Sequence, residues 1–318
     1  MTPIGKKENV MSKTFCPYSI TAAMNSLGRS WLATNKEQYA FMHKLYFPDE
    51  AQGIEGLRSL SARDAESLNS ELASAGFDLR CPSFGTNGIG LLGILVLKLL
   101  WQKLETSVKP ILAENGRWYR GAQLEHGENW VSAYISKGHP SPICSWQADD
   151  NLWTFYITEA YEPLGGMLLL SYIISLLRDA SQECGGVRFP IASLVDHPDI
   201  SWLRGMVHDN LHVDEALQEN RLLLDEKGVE IKSATVLLVV SASCAAGPTL
   251  PIYKIKRPYF FWATRVGCSV PVFAAYVDYD ALTIDNQKEQ GLEKEIERKR
   301  EEQLGIDRNR AAVFGYRQ

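Results

Sequence analysis

The sequence lacks the short motifs that mark the common enzyme classes. It contains no G-x-S-x-G, no H-E-x-x-H, no Walker-type phosphate loop and no convincing G-x-G-x-x-G. The glycines of residues 88–93 are suggestive, but no clear strand precedes them and no helix N-cap follows, so we predict a structural turn there. We therefore expect a protein that is not an enzyme and that has no catalytic residues.

Metal-binding and disulfide patterns are also scarce. The chain has six cysteines and six histidines, and its cysteines are widely spaced with no C-x-x-C pair. We predict buried free thiols, no metal and no cofactor. His208 and His212 are the best candidate cluster, because i, i+4 spacing on a helix would aim both imidazoles at one metal ion. Two histidines without a third strong ligand are more typical of solvated surface residues, which is the interpretation we favour.

Excess basic charge and long apolar runs are absent as well. The chain has 33 Lys and Arg against 38 Asp and Glu, a net charge of −5. We predict no nucleic-acid partner, since a phosphate backbone needs a concentrated basic face. The apolar runs 89–101 and 164–177 are shorter than the roughly 20 residues that cross a bilayer, and they fit buried strands or core helices. Residues 1–14 are polar and show no leader pattern, so we expect a cytoplasmic protein with no membrane partner.

Apolar periodicity and composition divide the chain into regions. Residues 35–47 and 56–75 carry apolar side chains at helical spacing, which predicts helices that cover the sheets. From residue 150 onward, short β-branched and aromatic segments separated by Gly, Pro and Asp predict a half made mostly of strands. After residue 280 the composition changes to Glu, Lys and Arg. We therefore predict a folded domain at 1–280 and a charged helical extension at 281–318.

One pair of segments carries the most specific pattern. Residues 226–235 read Glu-Lys-Gly-Val-Glu-Ile-Lys-Ser-Ala-Thr, and residues 256–262 read Lys-Arg-Pro-Tyr-Phe-Phe-Trp. This pair resembles the serpin family, in which an acidic-Lys-Gly-x-Glu-x-x-x-Ala-Thr hinge leaves a strand of the main sheet. In that family a mobile reactive loop follows, and a basic-Pro-aromatic-aromatic strand resumes the fold. Residues 15–28 are similar to the family's segment that leads from a strand into its second helix.

Weaker matches follow in the expected order. Residues 153–174 resemble an apolar strand, P-Y-x-G and a further strand, residues 187–203 resemble V-x-L-P-x-F … D-L-x-x-L, and residues 270–278 resemble the closing strand. The family's long first helix has no counterpart, and the distance from Leu27 to residues 89–101 is compressed. The resemblance implies an abridged serpin-like α+β fold, with a large mixed β-sheet, smaller sheets and a reduced set of covering helices.

The same resemblance implies which residues carry function. The reactive-loop hinge is assigned to Glu226, Gly228, Val229, Glu230, Ile231, Ala234 and Thr235, and the scissile bond to Ala242 and Ser243. Cys244 then lies in the loop, where its thiol is open to reaction. Because residues 237–240 have high β-propensity, we expect them to be paired in a sheet rather than exposed.

The composition of the hinge argues against inhibition. Inhibitory serpins trap a protease because the cleaved loop inserts as a new central strand of the main sheet. Ile231 and Lys232 are larger than the small residues that such insertion favours, and extra volume in a packed space costs about 1–3 kcal/mol. We therefore interpret the chain as a non-inhibitory, catalytically inactive pseudo-inhibitor that binds a peptide or protein partner at a sheet edge, or in a groove left by missing helices.

We extend this hypothesis to an accessory protein that presents a precursor peptide in a bacterial peptide-modification pathway for natural products. The alternative is a working serine protease inhibitor of the serpin type, cleaved near Ala242-Ser243, whose partner is a protease. An enzyme of unrecognised type is the remaining alternative.

Overall fold

The computed structural model describes residues 11–84, 89–100, 105–125, 131–148, 150–176, 182–225, 227–231, 252–288 and 290–291. Its α-helices are α1 (Pro17–Asn25), α2 (Lys36–Lys44), α3 (Pro48–Gln52), α4 (Ala65–Ser74) and α5 (Gly166–Leu176). Short 3-10 helices cover Ser201–Leu203 and Tyr279–Ala281.

The strands of the first half are β1 (Lys13–Phe15), β2 (Trp31–Leu32), β3 (Leu57–Ala62), β4 (Gly90–Leu95), β5 (Leu97–Leu100), β6 (Glu105–Val108), β7 (Ile111–Leu112), β8 (Trp118–Tyr119), β9 (Gly121–Glu125), β10 (Ser132–Tyr134), β11 (Ile143–Gln147) and β12 (Trp153–Glu159). Those of the second half are β13 (Gln182–Glu183), β14 (Gly186–Pro190), β15 (Ala192–Asp196), β16 (Val207–His208), β17 (Leu211–His212), β18 (Asn220–Leu224), β19 (Gly228–Ile231), β20 (Ile252–Lys254), β21 (Tyr259–Arg265) and β22 (Phe273–Val277).

Three sheets of four or more strands organise the described residues. The largest is an antiparallel sheet of seven strands in the order β1-β22-β21-β12-β11-β10-β13. A second sheet has the order β20-β14-β9-β6, and its β14–β20 pair is parallel. The third, which we call the hinge sheet, has the order β15-β18-β19-β5. The predicted α+β fold with several sheets and a reduced set of helices is confirmed.

The largest sheet holds much of the aromatic core. Phe155 stacks on Phe261 with ring centroids 6.0 Å apart, and Tyr156 stacks on Trp262 at 5.1 Å across the β12–β21 pair. Cross-strand aromatic pairs of this kind add stability beyond the apolar area that they bury. They therefore join two segments that are far apart in the chain, since β12 comes early in the strand-rich half and β21 comes near its end.

The first predicted helix is confirmed, and half of the second prediction is wrong. α2 begins after Asn35, whose side chain accepts a hydrogen bond from the Gln38 backbone N–H at 2.9 Å, which is a typical N-cap. Within the range 56–75, residues 57–62 form β3 instead of a helix. Asp64 then caps α4 by accepting from Ser67 N–H at 2.7 Å. The apolar spacing in 57–62 suits a strand equally well, and pairing with β4 decides the outcome.

Of the glycines in residues 88–93, Gly90 and Gly93 do not make the predicted turn, and Gly88 lies outside the described residues. Gly90 and Gly93 are part of β4, in the middle of the apolar run. A side chain at Gly93 would collide with the backbone of Ser19 in α1, and one at Gly90 would collide with Leu68 in α4. Gly93 is therefore needed because α1 approaches the strand backbone closely, and Gly90 leaves room for side chains that pack on the other face.

Within the apolar run 164–177, Gly166–Leu176 form helix α5, which is one of the two structures that the run fits and not the further strand that the resemblance implied. Its buried side chains are Leu169, Leu170, Ile173 and Leu176, which lie at helical spacing. Leu168 is equally apolar but 73 % exposed. A run that is apolar on every face hides its period, so the sequence alone does not separate strand from helix there. None of the helices in the described residues has the length and apolar character that a membrane crossing requires.

The described cysteines are all free thiols, as predicted. Cys16, Cys144 and Cys184 are buried, and Cys81 and Cys268 are half-buried.

The chain stays hydrogen-bonded beyond the predicted domain boundary at residue 280. Thr283 N–H donates to Ile191 at 2.9 Å, and Asp285 N–H donates to Trp118 at 3.0 Å. The extension from residue 292 onward lies outside the described residues.

The close contact between β4 and α1 predicts a strong effect of a small substitution. Gly93→Ala would place a methyl group into the backbone of Ser19, so we expect it to lower the free energy of unfolding by about 1–3 kcal/mol. Gly53→Ala is the matched control, because its methyl group would make an ordinary contact. Urea unfolding measures both variants, and equal midpoints would contradict the close packing that we describe.

Candidate functional site

The predicted hinge residues begin a hairpin in the hinge sheet. β18 ends at Leu224, and β19 starts at Gly228. The Asp225 carboxylate accepts hydrogen bonds from the backbone N–H groups of Lys227 at 2.7 Å and Gly228 at 3.0 Å. Such local bonding is why aspartate is favoured in turns. The Asp225 N–H also donates to the Gly228 carbonyl at 3.1 Å, so the tight turn folds β19 back against β18.

β19 has a hydrogen-bonded neighbour on each side. Its register on β18 places Val229 opposite Leu224, and its register on β5 places Ile231 opposite Leu97. Both pairings are antiparallel, and the Val229 side chain is 1 % exposed. Four of the predicted hinge residues, 228–231, therefore lie inside the hinge sheet as a central strand.

The remaining predicted site residues are not among the described residues. Glu226, Ala234, Thr235, Ala242 and Ser243 lie outside the described residues. The same holds for Cys244 and for residues 237–240, whose pairing in a sheet stays a prediction.

A cavity of about 820 Å³ continues the line of β19 beyond Ile231. One border is β4, which ends at Leu95, two residues before the β5 residue Leu97 that lies opposite Ile231. The other border is residues 214–221, which lead into β18. Within the described residues, β4 pairs with β3, and Asn220 pairs with β15, so each has one edge facing the cavity. We call this space, between β4 and residues 218–221, the cleft.

The width of the cleft follows from the strands above it. β19 fills the interval between β5 and β18, and β5 continues from β4 after Val96 alone. Neighbouring strands in a sheet are about 4.8 Å apart. The interval between β4 and the start of β18 is therefore suited to one further strand, with main-chain hydrogen-bonding groups on both sides.

Helix α1 forms the back wall of the cleft. Gly93 lies against Ser19, and the half-buried Ala23 also lines the cavity. The Gln218 amide donates to the Cys16 carbonyl at 3.0 Å and to Ser19 Oγ at 2.7 Å. These bonds fix the border beside β18 to the same helix that supports β4, so the back of the cleft is a rigid layer.

Asn220 extends this polar network. Its amide donates to Thr14 Oγ1 at 3.0 Å and to Gln218 Oε1 at 3.3 Å, and all of these groups are buried. The sequence analysis did not identify these residues. The signal that could have found them is the polar run 218–221 immediately before three leucines, since polar side chains at the start of a buried strand must find partners.

The front wall consists of α4 and the residues that follow it. Leu68 and Leu72 of α4 line the cavity, as do Phe77, Leu79 and Phe84. Leu72, Phe77 and Ile94 form a small apolar cluster of their own. The cleft therefore lies between two helices, with a loop across its front.

The thiols that line the cleft are poor nucleophiles. Burial raises the pKa of Cys16 above its ordinary value, and burial together with the Glu215 charge raises the pKa of Cys81. A thiol with a raised pKa stays protonated at neutral pH, and the thiolate is the reactive form. The chemistry that the cleft does offer is main-chain hydrogen bonding beside apolar walls.

The two histidines of the candidate metal cluster lie on a hairpin and not on a helix. β16 and β17 pair so that His208 faces Leu211 rather than His212. His208 is also buried, at 5.0 Å from the Trp31 ring, so its prediction as a surface residue is wrong. In the part of the chain that the structure describes, no three His, Cys, Asp or Glu side chains are grouped as metal ligands would be.

Comparison with solved structures identifies the fold. No protein-family model and no curated protein matches the sequence. Thyroxine-binding globulin in complex with thyroxine is 13 % identical, with a TM-score of 0.51 over 85 % of this chain and 93 % of that chain. The serpin SRPN18 from Anopheles gambiae is 13 % identical, with a TM-score of 0.53 over 86 % of this chain and 93 % of that chain.

Serine protease inhibitor (serpin) 12 from Manduca sexta gives a similar result. Its sequence is 13 % identical, with a TM-score of 0.53 over 85 % of this chain and 93 % of that chain. The resemblance found in the sequence is confirmed at the level of the backbone: the chain has a serpin-like fold with fewer helices.

Proposed function

We propose that this protein is a non-inhibitory, catalytically inactive serpin-like protein that binds an extended peptide in the cleft. The position of β19 carries the proposal. β19 lies between β18 and β5 immediately above the cleft, in line with the cavity between β4 and residues 218–221. A peptide in the cleft would continue the same layer of the sheet.

Strand addition supplies the binding energy in this proposal. The peptide main chain would hydrogen-bond to the edges of β4 and of the start of β18 that, within the described residues, face the cleft, and its alternate side chains would face α1 and α4. Because Gly93 brings α1 close to the sheet, the side chains on that face must be small. The cleft therefore selects extended peptides with small or short β-branched residues at every second position.

Holding a peptide in extended form suits an accessory protein. A precursor peptide bound along six residues of β4 would leave its two ends outside the cleft, where modifying enzymes reach them. We therefore extend the proposal to presentation of a precursor peptide for modification, and to a role as pseudo-inhibitor rather than inhibitor.

The binding proposal makes a quantitative prediction. A capped peptide of alternating threonine and alanine, about eight residues long, would span β4 and bind with a micromolar dissociation constant, or about −8 kcal/mol. Titration calorimetry measures this affinity. Ala23→Leu should weaken binding at least about tenfold, because three additional carbons enter the cavity from the back wall.

Ala73→Leu is the matched control, since Ala73 is exposed on α4. It should bind the peptide as the unmodified protein does. Equal affinity of the Ala23→Leu variant would place binding outside the cleft, and no heat signal with this peptide or a library of related peptides would overturn the proposed function.

Protease inhibition is the second candidate, favoured by the similarity to the Manduca sexta serine protease inhibitor. Against it, the hinge-like residues 228–231 are already paired with β5, and Val229 and Glu230 are paired with β18 as well, so these pairings cannot be gained after a cleavage. That pairing and the bulk of Ile231 support the non-inhibitory proposal.

We predict that no covalent complex forms with serine proteases. Incubation with elastase-like and subtilisin-like proteases, followed by denaturing gels, should show an intact or cleaved chain and no high-mass adduct. Any cleavage near Ala242 should leave the melting temperature nearly unchanged. A stable adduct, or a rise of tens of degrees after cleavage, would support the inhibitor instead.

A further inference from the structure

A loop that leaves α4 crosses the front of the cleft and returns to α4. We call residues 77–84 the strap. It starts beside Gly76, which has a left-handed φ of 75°, and Phe77 packs against Leu72 and Ile94. Cys81 is tied back to α4, since its N–H donates to Asn69 Oδ1 at 2.7 Å and its carbonyl accepts from Asn69 Nδ2 at 3.0 Å. The α4 side of the strap is therefore firmly attached.

The opposite side of the strap is attached to β18 and to the residue before it. Glu219 accepts hydrogen bonds from the Asp78 N–H at 3.4 Å and from the Leu79 N–H at 2.6 Å. Arg221 forms an ion pair with Asp78 at 2.6 Å, and its guanidinium lies over the Phe77 ring, 5.9 Å from the centroid. Among the described residues, two side chains thus provide the hydrogen bonds and ion pair that join the strap to the far border of the cleft.

Glu219 is the centre of this attachment. Its side chain is fully buried, and Arg221 Nε donates to Glu219 Oε1 at 2.6 Å. Burial alone would raise the pKa of Glu219, but the bonds from Arg221 and from the two strap N–H groups hold it below its ordinary value. The carboxylate is therefore charged at neutral pH, and hydrogen bonds to a charged acceptor are about twice as strong as neutral ones.

The strap conflicts with entry into the cleft. The back is closed by α1, the borders are β4 and residues 218–221, and the strap lies across the front. Phe84 also packs against Gly90 of β4, so the strap touches both borders. A peptide that enters from the front must first displace it.

We infer that residues 77–84 are an autoinhibitory strap, attached by Glu219 and Arg221 to the far border of the cleft, whose release admits the peptide. This inference rests on the proposed function for the peptide itself. The strap would open by losing its contacts to Glu219 and Arg221 while Asn69 and Leu72 keep it attached to α4. Loops that open in this way exchange their amide hydrogens faster than the core does.

Hydrogen exchange of the strap amides tests the attachment directly. Glu219→Gln keeps the side-chain volume but removes the charge that accepts from Asp78 and Leu79. We expect the exchange rate of the amide hydrogens of residues 77–81 to rise about tenfold. We also expect the capped threonine-alanine peptide to associate faster. Glu162→Gln is the control, since Glu162 is an exposed carboxylate outside the lining of the cleft and should change neither quantity.

A second variant keeps the test valid if loss of the buried charge unfolds the protein. Asp78→Ala removes the ion pair to Arg221 through a side chain that is 90 % exposed, so it leaves the core intact. We expect a smaller rise in exchange, by about two- to fivefold, as for an exposed ion pair.

The outcomes separate the two proposals. Unchanged exchange in both variants would overturn the strap attachment, even if the peptide binds. Faster exchange with an unchanged association rate would overturn the strap as a gate. Faster exchange with no peptide binding to any variant would overturn the proposed function and, with it, the inferred gate, while the attachment through Glu219 would be supported.

Discussion

The position of β19 in the hinge sheet determines the rest of the site. Each backbone N–H and C=O in a buried sheet needs a partner, and β19 supplies partners to β18 on one side and to β5 on the other. Beyond Ile231, along the line of β19, the strands on either side of the cleft are β4 and the start of β18. The same two strand paths are therefore joined by a strand at one end and separated by a cavity at the other, which produces the cleft.

The helical layer behind this sheet is thin but tightly fitted. Gly93 allows the backbone of α1 to approach one face of β4, and Gly90 makes room on the other face for the side chains of Leu68 and Phe84. Gln218 and Asn220 then bind the border beside β18 to α1 and to β1 through buried hydrogen bonds. Substitution of these amides would remove one hydrogen bond from each of these groups, at about 0.5–1.5 kcal/mol each. A rigid frame with an interval one strand wide is suited to holding an extended segment in place.

The sequence predicted those parts of the fold that depend on local chemistry. The helix within residues 35–47 was predicted from apolar spacing, and the hinge and the serpin-like topology were predicted from two separated motifs. The errors come from segments whose side chains fit two structures. Residues 57–62 became a strand through pairing with β4, residues 166–176 became a helix where the resemblance implied a strand, and Gly90 and Gly93 served close packing rather than a turn. The polar residues at 218–221 escaped notice because their partners lie about 200 residues away in the chain, as for Gln218 and Ser19.

The contacts that join the two borders of the cleft are much stronger at the back than at the front. At the back, largely buried amides and a packed helix join them. At the front, the strap is joined to the far border by one buried carboxylate and one arginine, and the Asp78 end of that contact is solvated. Exposed ion pairs contribute about 0–1 kcal/mol, so most of the attachment comes from the two N–H bonds to Glu219. An opening motion therefore begins at the front, and the frame that would hold an extended peptide stays in place while it does.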